Sequence, residues 1–84
     1  MKIPAIRCPR CGDTIYSRAR EDIRQCSCGA CSVNGGREIF LVSWQPGIDK
    51  PEIVNLDIDT DEEILYDDWN ESKNEYGIIK QEKH

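Results

Sequence analysis

The residues best equipped for chemistry in this 84-residue chain are its five cysteines. Cys8-Pro9-Arg10-Cys11-Gly12 holds two thiols with two residues between them, and Cys26-Ser27-Cys28-Gly29-Ala30-Cys31 holds three more. A turn of the first kind can bring both sulfurs to about 2.3 Å from one zinc ion. Pro9 pre-sets φ inside the turn, and Gly12 permits the positive φ that such a turn needs at its end. Fourteen residues separate Cys11 from Cys26, a length that suits a β-hairpin returning to the same metal, as in a zinc ribbon.

A structural zinc site takes four ligands, and five thiols are present. Cys8 and Cys11 supply two. Cys26 with Cys28 repeats the Cys-Gly ending of the first cluster, and this favours that pair. Cys28 with Cys31 has the commoner two-residue spacing but is followed by Ser32, and Cys26 with Cys31 spans four residues. Cys31 therefore stands as the alternate fourth ligand. Other cysteine chemistry fits less well. Disulfides would leave one thiol over, and a redox pair would need a thioredoxin-like βαβ setting. A catalytic zinc needs an open coordination position and a nearby acid or base, whereas the single histidine is His84, the last residue. An iron centre of rubredoxin type uses the same four thiolates.

The elements that must carry these cysteines are short. Met1 to Ile6 reads as extended, residues 13–18 as an outgoing strand, and Ile23-Arg24-Gln25 as the return after a polar turn. Asn34-Gly35-Gly36 is a hairpin turn. Arg37 to Trp44 has four successive apolar residues, which predicts a strand buried on both faces. Residues 45–51 contain Pro46, Gly47 and Pro51 and break it. Glu52 to Ile58 alternates as a further strand. Thr60-Asp61-Glu62-Glu63 reads as a capping box with Thr60 as N-cap, opening a helix with Leu65, Trp69 and Tyr76 on one face. Asn74 to Gly77 ends that helix, Ile78-Ile79 adds a short extended piece, and Lys80 to His84 frays. The fold class predicted is a small, metal-stapled, β-rich α+β unit: a zinc ribbon with extra antiparallel strands and a short acidic helix.

Composition agrees with a stapled fold. Hydrophobic residues are 38% of the chain and charged residues 32%, and a domain this small buries only roughly 60% of its unfolded surface. The net charge of −5 conceals a division. Residues 1–45, the cysteine-bearing head with its following strand, hold seven basic and four acidic side chains, a net of +3. Residues 46–84, a strand-helix extension either packed on that head in a single compact unit or partly flexible, hold four lysines and twelve acids, a net of −8 with His84 neutral. No apolar run approaches the roughly 20 residues of a membrane span, and the first residues lack the apolar stretch of a signal peptide. The compartment expected is the reducing cytoplasm, of the host if the chain is phage-encoded, where cysteines more often hold metals than form disulfides.

The runs Cys8-Pro9-Arg10-Cys11-Gly12-Asp13, Ser17-Arg18-Ala19-Arg20-Glu21-Asp22-Ile23, Cys26-Ser27-Cys28-Gly29 and Val33-Asn34-Gly35-Gly36 resemble a family of small zinc-ribbon-like proteins from phage and bacterial genomes whose function is unassigned. The resemblance covers about residues 6–40. It implies that Cys8, Cys11, Cys26 and Cys28 are the ligands of one structural Zn2+, and it suggests a phage or phage-derived source. Glu21, Ile23, Asn34, Glu38 and Ile39 depart from the family pattern, which has His, Phe, Asp, Asp and Tyr there.

Enzymatic activity is not expected, because no nucleophile–base pair, phosphate-cradling loop or histidine lies within the cysteine module. No small-molecule substrate or membrane is indicated. Two binding roles follow from the charge division. In the first, the acidic tail presents Asp61, Glu62, Asp67, Asp68 and Trp69 to a protein with a basic surface, with the aromatic as anchor and the acids speeding encounter; a phage-encoded inhibitor or modulator of a host nucleic-acid enzyme such as RNA polymerase, or of a defence protein, would act this way. In the alternative, Arg18, Arg20 and Arg24 line a nucleic-acid-binding ribbon. The acids Asp57, Asp59 and Asp61 resemble the start of a calcium loop, but Glu62 stands where an EF-hand needs Gly, so a strand end and helix cap account for them better.

Overall fold

A computed structural model describes residues 1–36 and 40–79. Two small antiparallel sheets and one short helix make up the fold. The first sheet contains β1 (Lys2–Arg7), β2 (Thr14–Ile15), β6 (Glu52–Asp57) and β7 (Ile78–Ile79), in the order β6-β1-β2-β7. The second contains β3 (Arg24–Gln25), β4 (Cys31–Asn34) and β5 (Leu41–Trp44), in the order β3-β4-β5. The helix α1 spans Glu62–Asn70.

Alternation along β1 turns Ile3 and Ala5 to one face of the first sheet, and β6 pairs with β1 from Lys2↔Asp57 to Arg7↔Glu52. Val54 and Leu56 of β6, Tyr16 and Leu65 complete a core with Ile3 and Ala5. A second core gathers Ile6, Ile15, Cys8, Cys26, Cys31 and Val33, so it draws on strands of both sheets. The cysteine-free half of the chain thus contributes one strand on each side of the β1–β2 pair.

Three local expectations need correction. Residues 13–18 and 23–25 do not form a ribbon hairpin with each other. β2 pairs with β1 and β7, while β3 pairs with β4. The reason lies in the segment between them: Ser17 and Asp22 draw it into a compact buried turn. The Ser17 hydroxyl lies 2.7 Å from the Ala19 carbonyl and 2.8 Å from that of Asp22, and it accepts the Gly36 N–H at 3.0 Å.

The strand expected over Arg37 to Trp44 is present as Leu41–Trp44; Arg37, Glu38 and Ile39 lie outside the described residues. It is not buried on both faces. β5 is an edge strand: Val42 and, just before the strand, Phe40 pack against the core, whereas Leu41 is 56% and Trp44 43% exposed.

The helix cap is Asp61 rather than Thr60. The Asp61 carboxylate accepts the Ile64 N–H at 2.9 Å, and Glu62 and Glu63 occupy the first turn, where negative charge suits the helix dipole. The helix stops at Asn70 because Ser72 and Asn74 take positive φ, 55° and 58°, so Tyr76 lies beyond it and packs against the first core from a return segment. Lys80 to His84 lie outside the described residues.

Candidate metal centre

The first cysteine pair sits in the loop from β1 to β2. The Cys8 N–H donates to the Asp13 carbonyl at 2.9 Å, and the Gly12 N–H donates to the Cys8 carbonyl at 2.9 Å. Gly12 has φ 79°, the conformation that lets the chain turn under the sulfurs. The second cluster sits in the turn from β3 to β4. The Cys26 N–H donates to the Cys31 carbonyl at 3.2 Å, the Gly29 N–H to the Cys26 carbonyl at 3.0 Å, and Gly29 has φ 74°. Each turn also aims an N–H at a sulfur: Arg10 at Cys8 and Cys31 at Cys26, both at 3.4 Å.

These turns face one another across the two sheets. The sulfurs of Cys8, Cys11, Cys26 and Cys28 all lie within 4.8 Å of one another, with Cys26–Cys28 at 3.5 Å and Cys8–Cys28 at 3.7 Å. Sulfurs at the corners of a tetrahedron, each about 2.3 Å from a central zinc, stand about 3.8 Å apart. A disulfide would require about 2.05 Å, and all five cysteines are free thiols. The four cysteines are close enough to coordinate one metal ion, and the separations suit a tetrahedral one. Burial opposes ionisation of Cys8, but the N–H groups of Cys11 and Arg10 outweigh it and hold the thiol below its ordinary value, as a metal ligand requires.

Cys31 stands apart from this group. It opens β4 within the core, and burial together with the neighbouring Cys8 thiol pushes it up to about 12. A residue that the spacing of cysteines does not reveal is Asp13. Its backbone closes the first turn, and its carboxylate accepts the Ser27 N–H of the second at 3.0 Å, so one buried side chain fastens the two turns together. The only trace of this in the sequence is its place directly after Cys11-Gly12.

A family model described as a domain of unknown function, DUF7695, matches residues 1–44. The chain belongs to this family. The DUF7695 match takes in both cysteine turns and the Ser17–Asp22 segment and stops at β5, which agrees with a small metal-binding family of unassigned function. No curated protein matches the chain, and no solved structure matches it.

The other site residues expected in this DUF7695 protein divide by burial. Asp61, Glu62 and Asp67 are exposed on or beside α1, and Trp69 is half-buried with its ring 5.5 Å from that of Tyr66, edge to face. Asp68 is not on that surface. It is buried and bonded to Arg18 at 2.7 Å, because α1 turns it inward with Leu65. Arg18, expected on a nucleic-acid face, is spent in the same interior contact and in a two-pronged pairing with Asp22. Arg24 is half-buried with Nη1 3.4 Å from the Asn74 side-chain oxygen, which leaves Arg20 as the exposed member of the three. Asp57 faces the N-terminal amine at 3.4 Å, and among the described residues the metal-compatible group is the cysteine cluster. No described helix is long and apolar enough to cross a membrane.

Proposed function

We propose that this chain is a zinc-stapled, non-enzymatic interaction module that engages a protein with a basic surface through the acidic side of α1. Four thiolates would fill the coordination shell of the ion and leave no position for a reacting ligand, so its task is to join the turn of one sheet to the turn of the other. Supporting the binding role is one arrangement above all: Asp61, Glu62 and Asp67 lie exposed beside Tyr66 and Trp69 on a helix whose Asp68 is tied to Arg18 of the metal-bearing head. Carboxylates around aromatic anchors complement a basic groove and accelerate encounter with it. The likeness to phage and bacterial proteins supports the finer reading, that the module inhibits or redirects a host protein whose working groove is basic, such as a nucleic-acid enzyme or a defence protein.

Affinity capture from a bacterial lysate tests the role, using the full chain and a Glu62→Gln, Asp67→Asn double variant. Both side chains are exposed, and circular dichroism of the variant checks that it keeps the fold. Loss of a specific partner with the variant is the expected result; recovery of the same proteins by both would rule the reading out.

A further inference from the structure

The four sulfurs of the metal centre differ in their access to water. Cys8 and Cys26 are buried, 1% and 4% exposed, and Cys11 is half-buried, but Cys28 is exposed. Cys28 also has two close sulfur neighbours, Cys26 at 3.5 Å and Cys8 at 3.7 Å. Both features bear on oxidation. A thiolate reacts with a peroxide where the peroxide can reach it, and the sulfenic acid that results condenses with a thiolate beside it.

Of the two neighbours, Cys26 is the better placed to condense. A disulfide from Cys28 to Cys26 needs the sulfurs to close from 3.5 Å to about 2.05 Å. Both residues belong to one turn, which the Gly29 N–H closes on the Cys26 carbonyl at 3.0 Å, so this approach is a movement within the turn. Joining Cys28 to Cys8 would instead draw together turns that belong to two sheets. Ser27 stands between Cys26 and Cys28 and donates its N–H to the Asp13 carboxylate at 3.0 Å. A disulfide across Ser27 therefore acts on the contact that fastens the turns, besides taking two thiolates from the group of four.

We infer that Cys28 is an oxidation site, at which a peroxide converts Cys26 and Cys28 to a disulfide and so dismantles the metal centre. First the Cys28 thiolate attacks one peroxide oxygen, the O–O bond breaks, and hydroxide leaves, so that Cys28 becomes a sulfenic acid. Then the Cys26 thiolate attacks the Cys28 sulfur, the S–S bond forms, the S–O bond breaks, and a second hydroxide leaves. The two sulfurs together give up two electrons, which reduce one hydrogen peroxide to two hydroxide ions. Cys8 and Cys11 remain as two ligands where a structural site takes four, and the turns of the two sheets are no longer joined. Cys31 keeps its thiol, being buried and outside the four-sulfur group. A dithiol reverses the change by exchange, becoming a disulfide itself while Cys26 and Cys28 return to thiols. The inference rests on the metal-stapled reading above and adds a modification that undoes the staple.

The test uses the full chain loaded with zinc, its loading checked by native mass spectrometry. Hydrogen peroxide is added, zinc release is followed with a chromogenic chelator, the remaining thiols are alkylated, and the chain is digested with trypsin. Cys26, Cys28 and Cys31 share the peptide of residues 25–37, whereas cleavage after Arg10 and Arg18 places Cys8 and Cys11 on two others. Zinc release is expected in step with an internal disulfide in the 25–37 peptide that leaves only Cys31 alkylated there. Dithiothreitol with added zinc should restore the loaded chain, and Cys31→Ser should release zinc as the wild type does. A 25–37 peptide joined to the Cys8 peptide, an internal disulfide that includes Cys31, or zinc release with no disulfide would overturn the assignment. Zinc retained at peroxide concentrations that oxidise a free cysteine peptide would overturn the oxidation site and leave the staple standing. A chain that takes up no zinc overturns the staple, and this inference with it.

Discussion

The guanidinium of Arg18 and the carboxylate of Asp68, fifty residues apart in sequence, meet at 2.7 Å with both side chains buried. Every strong group in this contact has further partners. Arg18 bonds Asp22 through Nε at 2.8 Å and Nη2 at 3.2 Å, and reaches the Asn74 side chain at 3.2 Å. Asp68 accepts the Glu75 N–H at 2.8 Å and the Tyr76 N–H at 3.1 Å. One network therefore ties the turn of the head to the helix and the return segment that leads to β7.

Asp68→Ala is expected to destabilise the protein by about 3–5 kcal/mol, because it strands part of a buried guanidinium and two backbone donors. Asp68→Asn keeps an acceptor for the N–H groups and should cost less. Denaturant titration at neutral pH orders the two variants; equal and small effects would show that the pair contributes little.

Acid weakens this bridge only at low pH. Burial alone pushes the Asp68 carboxyl up, but the Arg18 guanidinium and the N–H groups of Glu75 and Tyr76 prevail and hold it below its ordinary 3.8. A carboxyl lowered by folding contributes stability that is complete above its unfolded value and is lost as pH falls through its folded value. The contribution should persist through neutral and mildly acidic conditions and fade below about pH 4. A carbon-13 titration of the Asp68 carboxyl is expected to have its midpoint below 3.8; a midpoint above that value contradicts the account.

Cys31→Ser is expected to retain one metal ion per chain in native mass spectrometry, at a stability cost of about 1 kcal/mol for burying the hydroxyl. Cys28→Ser should lose the ion or bind it far more weakly. The sulfur of Cys28 is 3.5 Å and 3.7 Å from two other ligands, whereas Cys31 lies outside the four-sulfur group. The opposite pattern would reassign the fourth ligand. Chelation of the wild type should loosen the contact between the two sheets, seen as faster hydrogen exchange in β3 and β4, since binding and folding are coupled.

Gly36→Ala is expected to cost more than Gly47→Ala, by about 1–3 kcal/mol. Both glycines have positive φ, 66° and 93°, so both substitutions carry backbone strain. A Cβ on Gly36 would also come within 3.1 Å of the Ala19 and Arg20 backbone, while one on Gly47 meets nothing. Thermal or denaturant unfolding of the two variants settles the order.

The cysteine turns were legible because their information is local. Spacing, a proline inside one turn and a glycine after each pair set the geometry within a few residues; Met1 to Ile6, read as extended, and Glu52 to Ile58, read as a strand from its alternation, correspond to β1 and β6. The helix boundary was less legible, since Thr60 and Asp61 are both good caps and only the backbone path decides which one reaches the Ile64 N–H.

By itself, then, the sequence determined where the cysteine turns, the longer strands and the helix form, because those depend on neighbours along the chain. Tertiary structure decided the partners. β2 and β3, read as two arms of one hairpin, entered different sheets. Arg18 and Asp68, read as two opposite surfaces, became one interior contact. Pairing between strands and between distant charges depends on which segments share the limited buried space, and in a chain of 84 residues with so little apolar material the polar groups must be paired inside it.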